Sequence, residues 1–495
     1  MSNILLINPP IYDFASFDLW SKPLGLLYLS SILKEQKLNV DFLDYCDRAS
    51  FLLPQRQEIA ANTGFGCGHY LKTQIEKPQI LKNIPRKYSR YGIPKSAAES
   101  FLKSIQKPDL IIVTSIMTFW YFGLFEAIES LQEIFPNTPI VIGGIYASLC
   151  YEHFERASKN LNKKNLILVK GNLSNLNSVF EKYQILAKIP LNFSDYPLPD
   201  YSFYNVSHET SFGYSSDYLL SNVSRETLQD AAYPQVMYPQ ALEYAVIRMS
   251  QGCPFKCSYC AQSFLSENQI AFKNPQKVFE EISFLAGMGI KNIVFYDDAL
   301  LYESKKYIKP LLKKIIEANL KIKIHTPNGM HLKFLDLECA VLMKEAGFIL
   351  PRFSLETAEQ KLQKETGGKT NNADFENAVK ILNKAGFNAG DFIIYLIMGM
   401  PNQKISDIEN SIKYVHDLGG KISLSEYSVI PHTKDFENLD EKIRQDFLNE
   451  PLLHNKSIYP LLNNSALSAD AEKWKEIYEI KLLAKKLNNK PKKVN

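Results

Sequence analysis

The residues best suited to chemistry are three cysteines in the run Ser250-Gln251-Gly252-Cys253-Pro254-Phe255-Lys256-Cys257-Ser258-Tyr259-Cys260. The spacing Cys-x3-Cys-x2-Cys supplies thiolates, the natural ligands of iron–sulfur clusters. Three thiolates on a four-iron cluster leave one iron open. That iron can chelate the amino and carboxylate groups of a bound molecule and pass it one electron. A structural zinc site normally shows Cys-x2-Cys pairs and four ligands, and the chain has no second pair. Gly252 and Pro254 mark a loop, which argues against an inert buried trio. The other cysteines, Cys46, Cys67, Cys150 and Cys339, are scattered, and a total of seven does not suggest a disulfide framework.

Such a loop needs rigid support, and the flanking sequence predicts it. Strands are predicted at Tyr244–Met249, Asn292–Tyr296, Lys321–Thr326, Leu350–Leu355, Phe392–Ile397 and Lys421–Ser425. Helices are predicted between them at Pro275–Gly287, Lys305–Ala318, Leu335–Ala346, Asn372–Ala385 and Ile405–Leu418. Gly289, Gly347, Gly386 and Gly419 stand where helix C-caps belong. Six βα steps are fewer than the eight of a full TIM barrel, so an open, partial (β/α)6 barrel is expected over 243–435. The cysteine loop follows its first strand, at the carboxyl end where barrel active sites are built. The other strand ends carry Asp297 and Asp298, then His325 and Asn328, then Ser354 and Glu356, then Met398. His325 and Asn328 are candidate substrate contacts, and Asp298 has helix N-capping as its structural alternative.

A second alternation precedes the barrel. Strands Ile4–Ile7, Val40–Leu43, Leu110–Thr114, Ile140–Ile142 and Leu166–Val169 are interleaved with helices Leu24–Gln36 and Leu124–Ile134. This predicts an α/β, flavodoxin-like doubly wound domain over 1–171. Such sheets bind ligands at the carboxyl ends of their strands, which here carry Asn8, Thr114, Ser115, Gly143 and Gly144. An insertion is expected at 47–107, a linker at 172–242 and a helical C-terminal extension at 436–495.

The cysteine motif after the first strand of a six-step barrel resembles the radical S-adenosylmethionine (SAM) superfamily. The resemblance implies a [4Fe–4S] cluster on Cys253, Cys257 and Cys260, and SAM beside it. It implies that Tyr259 packs near the adenine and that Asp297 or Asp298 meets the amino group, although the family's usual Gly-Gly-Glu is missing there. Ser354 and Glu356 correspond to the segment reaching the ribose or methionine moiety. Met398-Gly399-Met400-Pro401 is similar to the family's turn near adenine. A doubly wound domain ahead of such a barrel resembles the cobalamin-binding branch. Ile7-Asn8-Pro9-Pro10, Lys22-Pro23-Leu24-Gly25, Val113-Thr114-Ser115 and Ile142-Gly143-Gly144 carry that likeness, with Pro85 to Pro94 in the insertion. The branch implies cobalamin near Asn8, Thr114, Ser115, Gly143 and Gly144. None of the eight histidines has Asp two residues earlier, so an Asp-x-His-x-x-Gly ligand to cobalt is absent.

The expected activity is reductive cleavage of SAM to start radical chemistry on an unactivated carbon, with cobalamin-dependent methyl transfer. An external donor such as flavodoxin or ferredoxin would supply electrons, and the substrate would be a small molecule. A methylthiotransferase would need a second cluster, with Cys46, Cys67 and Cys150 as conceivable ligands. A non-catalytic iron–sulfur or zinc scaffold is the third reading. A net charge of +4 gives no strong nucleic-acid signal. No signal peptide or membrane span is legible, so a cytoplasmic protein is expected.

Overall fold

Asn3–Asn8 is buried at every position, the pattern of a strand covered on both faces. In the computed structural model, which describes residues 2–53, 65–161, 163–204, 242–457 and 471–490, it belongs to a five-stranded parallel sheet. The order across the sheet is Leu166–Leu168, Ile140–Ile142, Leu110–Val113, Asn3–Asn8, Asn39–Asp44. This is the flavodoxin-like order, which reverses between the first and third strands and so opens a crevice at their carboxyl ends.

The insertion is shorter than expected. Lys95–Ser104 is the crossover helix that leads into Leu110–Val113. Before it, Lys72–Ile75 pairs with Tyr88–Tyr91, and Ile11–Asp13 joins that ladder. Residues 54–64 lie outside the described residues.

The second sheet system has six main strands in sequence order. Tyr244–Ile247, Asn292–Phe295 and Lys323–His325 form one parallel ladder, and Arg352–Glu356, Ile393–Met398 and Lys421–Glu426 form another. A single parallel bridge, Ile324 to Phe348, links the two. Met330–His331 adds a short strand beside Phe353 and Ser354. It escaped the pattern reading because Pro327 and Gly329 interrupt the run.

The stretch 172–204 is more than a linker. Phe180, Phe193, Tyr196, Tyr201 and Tyr204 are buried in the core shared with the barrel strands. The Tyr201 hydroxyl donates to the Val246 carbonyl at 2.7 Å. Lys273, fully buried, lies 3.5 Å from Glu281 and donates to the Tyr28 hydroxyl at 3.1 Å. The helix Leu24–Glu35 is thereby tied to the barrel. Residues 205–241 lie outside the described residues.

The C-terminal extension is also built into the body. Asn455 donates to Asp13 at 2.9 Å, and His454 Nδ1 lies 3.0 Å from Thr118 Oγ1. Farther on, the helix Ala471–Asn488 ends with Asn488 hydrogen-bonded to Ile422. Among the described residues, no helix is long and apolar enough to cross a membrane.

Gly144 and Gly25 offer a paired test. Gly144 has φ +90°, and a Cβ there would stand 2.4 Å from the Ser115 carbonyl oxygen. Gly144→Ala is expected to destabilise by about 2–3 kcal/mol. Gly25 has open space around its Cβ position on the helix Leu24–Glu35, so Gly25→Ala should be neutral or stabilising by up to about 1 kcal/mol. Urea unfolding beside the parent checks the order, and the reverse order would contradict this account.

Candidate active site

The cysteine loop begins where the first barrel strand ends, and two carboxylates hold it there. Asp297 Oδ1 accepts from the Ser250 N–H (2.5 Å) and the Ser250 hydroxyl (2.6 Å), and Oδ2 accepts from the Met249 N–H (3.2 Å). Asp298 Oδ2 accepts from Arg248 (2.7 Å), Gln262 (2.8 Å) and the Gly252 N–H (3.0 Å). Burial pushes the Asp297 carboxyl up to about 6, against the pull of Ser250. Both side chains are turned into the loop rather than toward a ligand's amino group. Asp298 caps no helix either, since the next one starts at Ile308. Gly252 has φ +87°, and a Cβ there would stand 2.0 Å from the Gln269 carbonyl oxygen, so only glycine fits this turn.

Cys253 and Cys257 are half-buried and Cys260 is exposed, whereas Cys46, Cys67, Cys150 and Cys339 are buried. Burial pushes the Cys253 thiol up to about 11, and its neighbours Cys257 and Cys260 add to the rise. Three thiolates here therefore need positive charge to hold them. Among the described residues, no three His, Cys, Asp or Glu side chains gather as a single metal ion requires. A cubane cluster instead takes its thiolates at separate irons. The donor set and its charge requirement fit that group.

Sequence reading missed Lys369. Its ammonium pairs with Glu356. Burial opposes its charge, but Glu356 and the thiolates of Cys257 and Cys260 raise its proton affinity above the ordinary value. The Gly367-Gly368 turn brings it in. Gly367 has φ +110°, and a Cβ there would stand 3.2 Å from Cys257 Cα. The glycine pair before a lysine was the available signal.

Tyr259 and Glu356 come together, the tyrosine hydroxyl donating to Glu356 Oε1 at 3.1 Å. Glu356 has φ +67°, and its strand slips register between Ser354 and Glu356. A non-glycine residue held there stores about 1–3 kcal/mol of strain, a cost that clusters at functional sites. Ser354 is buried under Gly329, where a Cβ would stand 1.9 Å from its hydroxyl. Met398 is buried at the end of its strand, and Gln403 braces the following turn through Gly399 N–H (2.7 Å) and the Ile397 carbonyl (3.0 Å).

The two substrate candidates are placed otherwise. His325 is buried, 3.0 Å from Asn292 Oδ1 and stacked on Trp20 of the first domain at 4.5 Å. Burial holds its pKa down to about 4. It is an interdomain packing residue. Asn328 is exposed and donates to the Tyr296 carbonyl at 3.1 Å, bracing the second strand's end. A different histidine approaches the cysteines: His331 Nε2 stands 3.6 Å from Cys253 Sγ.

Between the domains lies a cavity of about 1140 Å³. Its walls come from Thr118 and Ile145 of the first domain, Tyr70 of the insertion, Cys260 of the cysteine loop, and Glu426 and Ser428 at and just past the end of the sixth strand. The five residues expected at a corrinoid do not line it. Asn8 donates to Asp44 at 2.6 Å, and the Thr114 N–H donates to the Ile7 carbonyl at 3.0 Å. Ser115 donates to the Gly143 carbonyl at 2.7 Å, while Gly144 forms the tight turn against it. Asn8 and Ser115 reach only a separate cavity of about 20 Å³, which shares Tyr70, Met117 and Trp120 with the large one. The loops continue past the predicted positions before they form the larger wall.

A six-strand open βα barrel bearing Cys-x3-Cys-x2-Cys on its first loop, packed on a flavodoxin-like domain, has the make-up of a radical SAM protein. Residues 247–415 match the Radical SAM superfamily, and the chain carries a radical SAM domain. It is 29% identical over 182 residues to an uncharacterized methyltransferase of Pyrococcus horikoshii, covering 35% of this chain and 37% of the relative. It is 22% identical over 361 residues to the anaerobic magnesium-protoporphyrin IX monomethyl ester cyclase of Cereibacter sphaeroides, covering 69% of this chain and 55% of the relative. The chain thus spans less than two thirds of either relative. In fold it is similar to the radical SAM methyltransferase TsrM of Kitasatospora setae, solved with cobalamin and a [4Fe–4S] cluster bound. That likeness has a TM-score of 0.61 at 15% identity, over 98% of this chain and 89% of that one.

The clamp on the cysteine loop sets the expected mutational contrast. Asp297→Ala orphans buried donors and should lower unfolding free energy by about 2–4 kcal/mol, whereas Asn328→Ala should cost less than about 1 kcal/mol. Urea unfolding of the two variants checks this, and equal small losses would contradict it.

Proposed function

We propose that the protein is a radical SAM enzyme that holds a [4Fe–4S] cluster on Cys253, Cys257 and Cys260 and methylates an unactivated carbon of a small molecule, with cobalamin in the interdomain cavity. The observation that carries this reading is the shared chamber: the wall bearing Cys260 faces the loops at the strand ends of the flavodoxin-like sheet. When bound, the cluster and SAM supply one-electron chemistry able to activate a C–H bond, and the corrinoid supplies a transferable methyl group.

The chain's own residues supply placement and field. Asp297 and Asp298 fix the loop that presents the thiolates. Lys369 offsets the charge of Cys257 and Cys260, while Tyr259 and Glu356 form the adjoining wall for SAM. The cavity is large enough for a macrocycle. His69 and His454 line the cavity; Thr118 and the Phe447 carbonyl occupy both nitrogens of His454, which rules that one out as a ligand to cobalt, and the ring of His69 packs edge-on against Phe17. An external donor such as flavodoxin or ferredoxin would deliver the electron. The methylthiotransferase alternative is disfavoured because Cys46, Cys67 and Cys150 are buried in three separate packing clusters. A passive scaffold gives no reason for so large a chamber beside the cysteines.

Anaerobic reconstitution is expected to give about four irons per chain. Cys257→Ala should lose most of them, and joint replacement of Cys46, Cys67 and Cys150 should not. The parent with SAM and dithionite should release methionine and 5′-deoxyadenosine. Hydroxocobalamin should co-elute on gel filtration with a spectrum lacking histidine ligation. Stoichiometric zinc without iron would overturn the cluster, and no retained corrinoid would overturn the cobalamin assignment.

A further inference from the structure

His331 makes a contact with the cysteine loop that cluster ligation does not itself require. Its ring is buried and stacks on Phe255 at 5.0 Å, with Phe334 at 5.8 Å. Nε2 stands 3.6 Å from Cys253 Sγ. Nδ1 is buried and has no hydrogen-bond partner among the described residues. The backbone beneath is pinned, since Met330 and His331 pair with Phe353 and Ser354 in a parallel ladder.

This arrangement is informative because it is unbalanced. A thiolate can only accept a hydrogen bond, so a neutral ring facing one keeps its proton on Nε2. Nδ1 is then a bare acceptor in an aromatic slot, a penalty that a phenyl ring in the same place would avoid. The slot suits an apolar ring in every respect except the approach of Nε2 to sulfur. Lys369 places its charge near all three cysteines, whereas the His331 ring makes a direct approach to one sulfur, that of Cys253.

We propose that His331 is a positioning residue that donates an N–H···S hydrogen bond to the Cys253 thiolate and so raises the reduction potential of the cluster; this rests on the cluster assignment above. Reduction adds negative charge that spreads onto the sulfurs, and a fixed donor stabilises the reduced form more than the oxidised one. Hydrogen bonds to cluster sulfurs are an established lever on potential.

The test uses the full chain, reconstituted anaerobically. Iron content comes first: a parent without iron would remove the cluster reading itself, separately from this inference. With iron present, an EPR-monitored redox titration should place the midpoint of His331→Phe below that of the parent. His331→Gln retains an N–H donor and should fall between them. A second measurement needs no variant to fold. The parent labelled with ¹⁵N-histidine and reduced should show ¹⁵N hyperfine coupling to the cluster in pulsed EPR. Equal midpoints for parent and His331→Phe at equal iron content, or no histidine coupling in the parent, would overturn the proposal.

Discussion

Two adjacent carboxylates bear the arrangement of the whole site. Asp297 and Asp298 follow the barrel's second strand, and together they accept from Arg248, Met249, Ser250, Gly252 and Gln262. The segment that leaves the first strand and carries the cysteines is thus tied to its neighbour at both flanks. A loop with three thiols and little regular structure would otherwise fluctuate. A multi-thiolate group needs its donors placed before it binds, and buried charge-assisted hydrogen bonds give that placement. The cost appears in Asp297, whose burial pushes its proton affinity up to about 6.

The chamber depends on a second constraint, the fixed relation of the two domains. Trp20 stacks on His325, Lys273 reaches Tyr28, and Tyr201 grips the Val246 carbonyl. These contacts span the boundary with aromatic area and few charges, as a permanent interface does. The C-terminal segment closes the remaining side through Asn455 on Asp13 and His454 beside Thr118.

Much of this was legible in the sequence for one reason: the signals were local. Cys253, Cys257 and Cys260 lie within one loop, so their spacing carries their chemistry. The parallel strands are short apolar runs bounded by glycine and helix patterns. The functions of Asp297, His325 and Lys369 depend on long-range partners that no local window contains. Asp297 had the correct address at a strand end, but Ser250 and Met249 turn it inward. His325 had the same address and was claimed by Trp20. The 172–204 segment has the composition of a linker, yet its tyrosines and phenylalanines pack into the core. The cavity wall is drawn from separate segments, and so its residues could not be ranked before the chain was folded.

The helix Ala471–Asn488 also covers part of the barrel's open edge. Among the described residues, Lys421–Glu426 is an edge strand, paired with Ile393–Met398 on one side and with no strand on the other. Asn488 answers this with its side-chain amide, accepting from the Ile422 N–H at 2.8 Å and donating to the Ile422 carbonyl at 2.8 Å. A primary amide in that position imitates one peptide unit of a seventh strand. Exposed strand edges can recruit other chains, and here a single side chain occupies the template near its start. The unclosed barrel thus keeps its wide mouth while one peptide unit of its free edge is satisfied from within the chain.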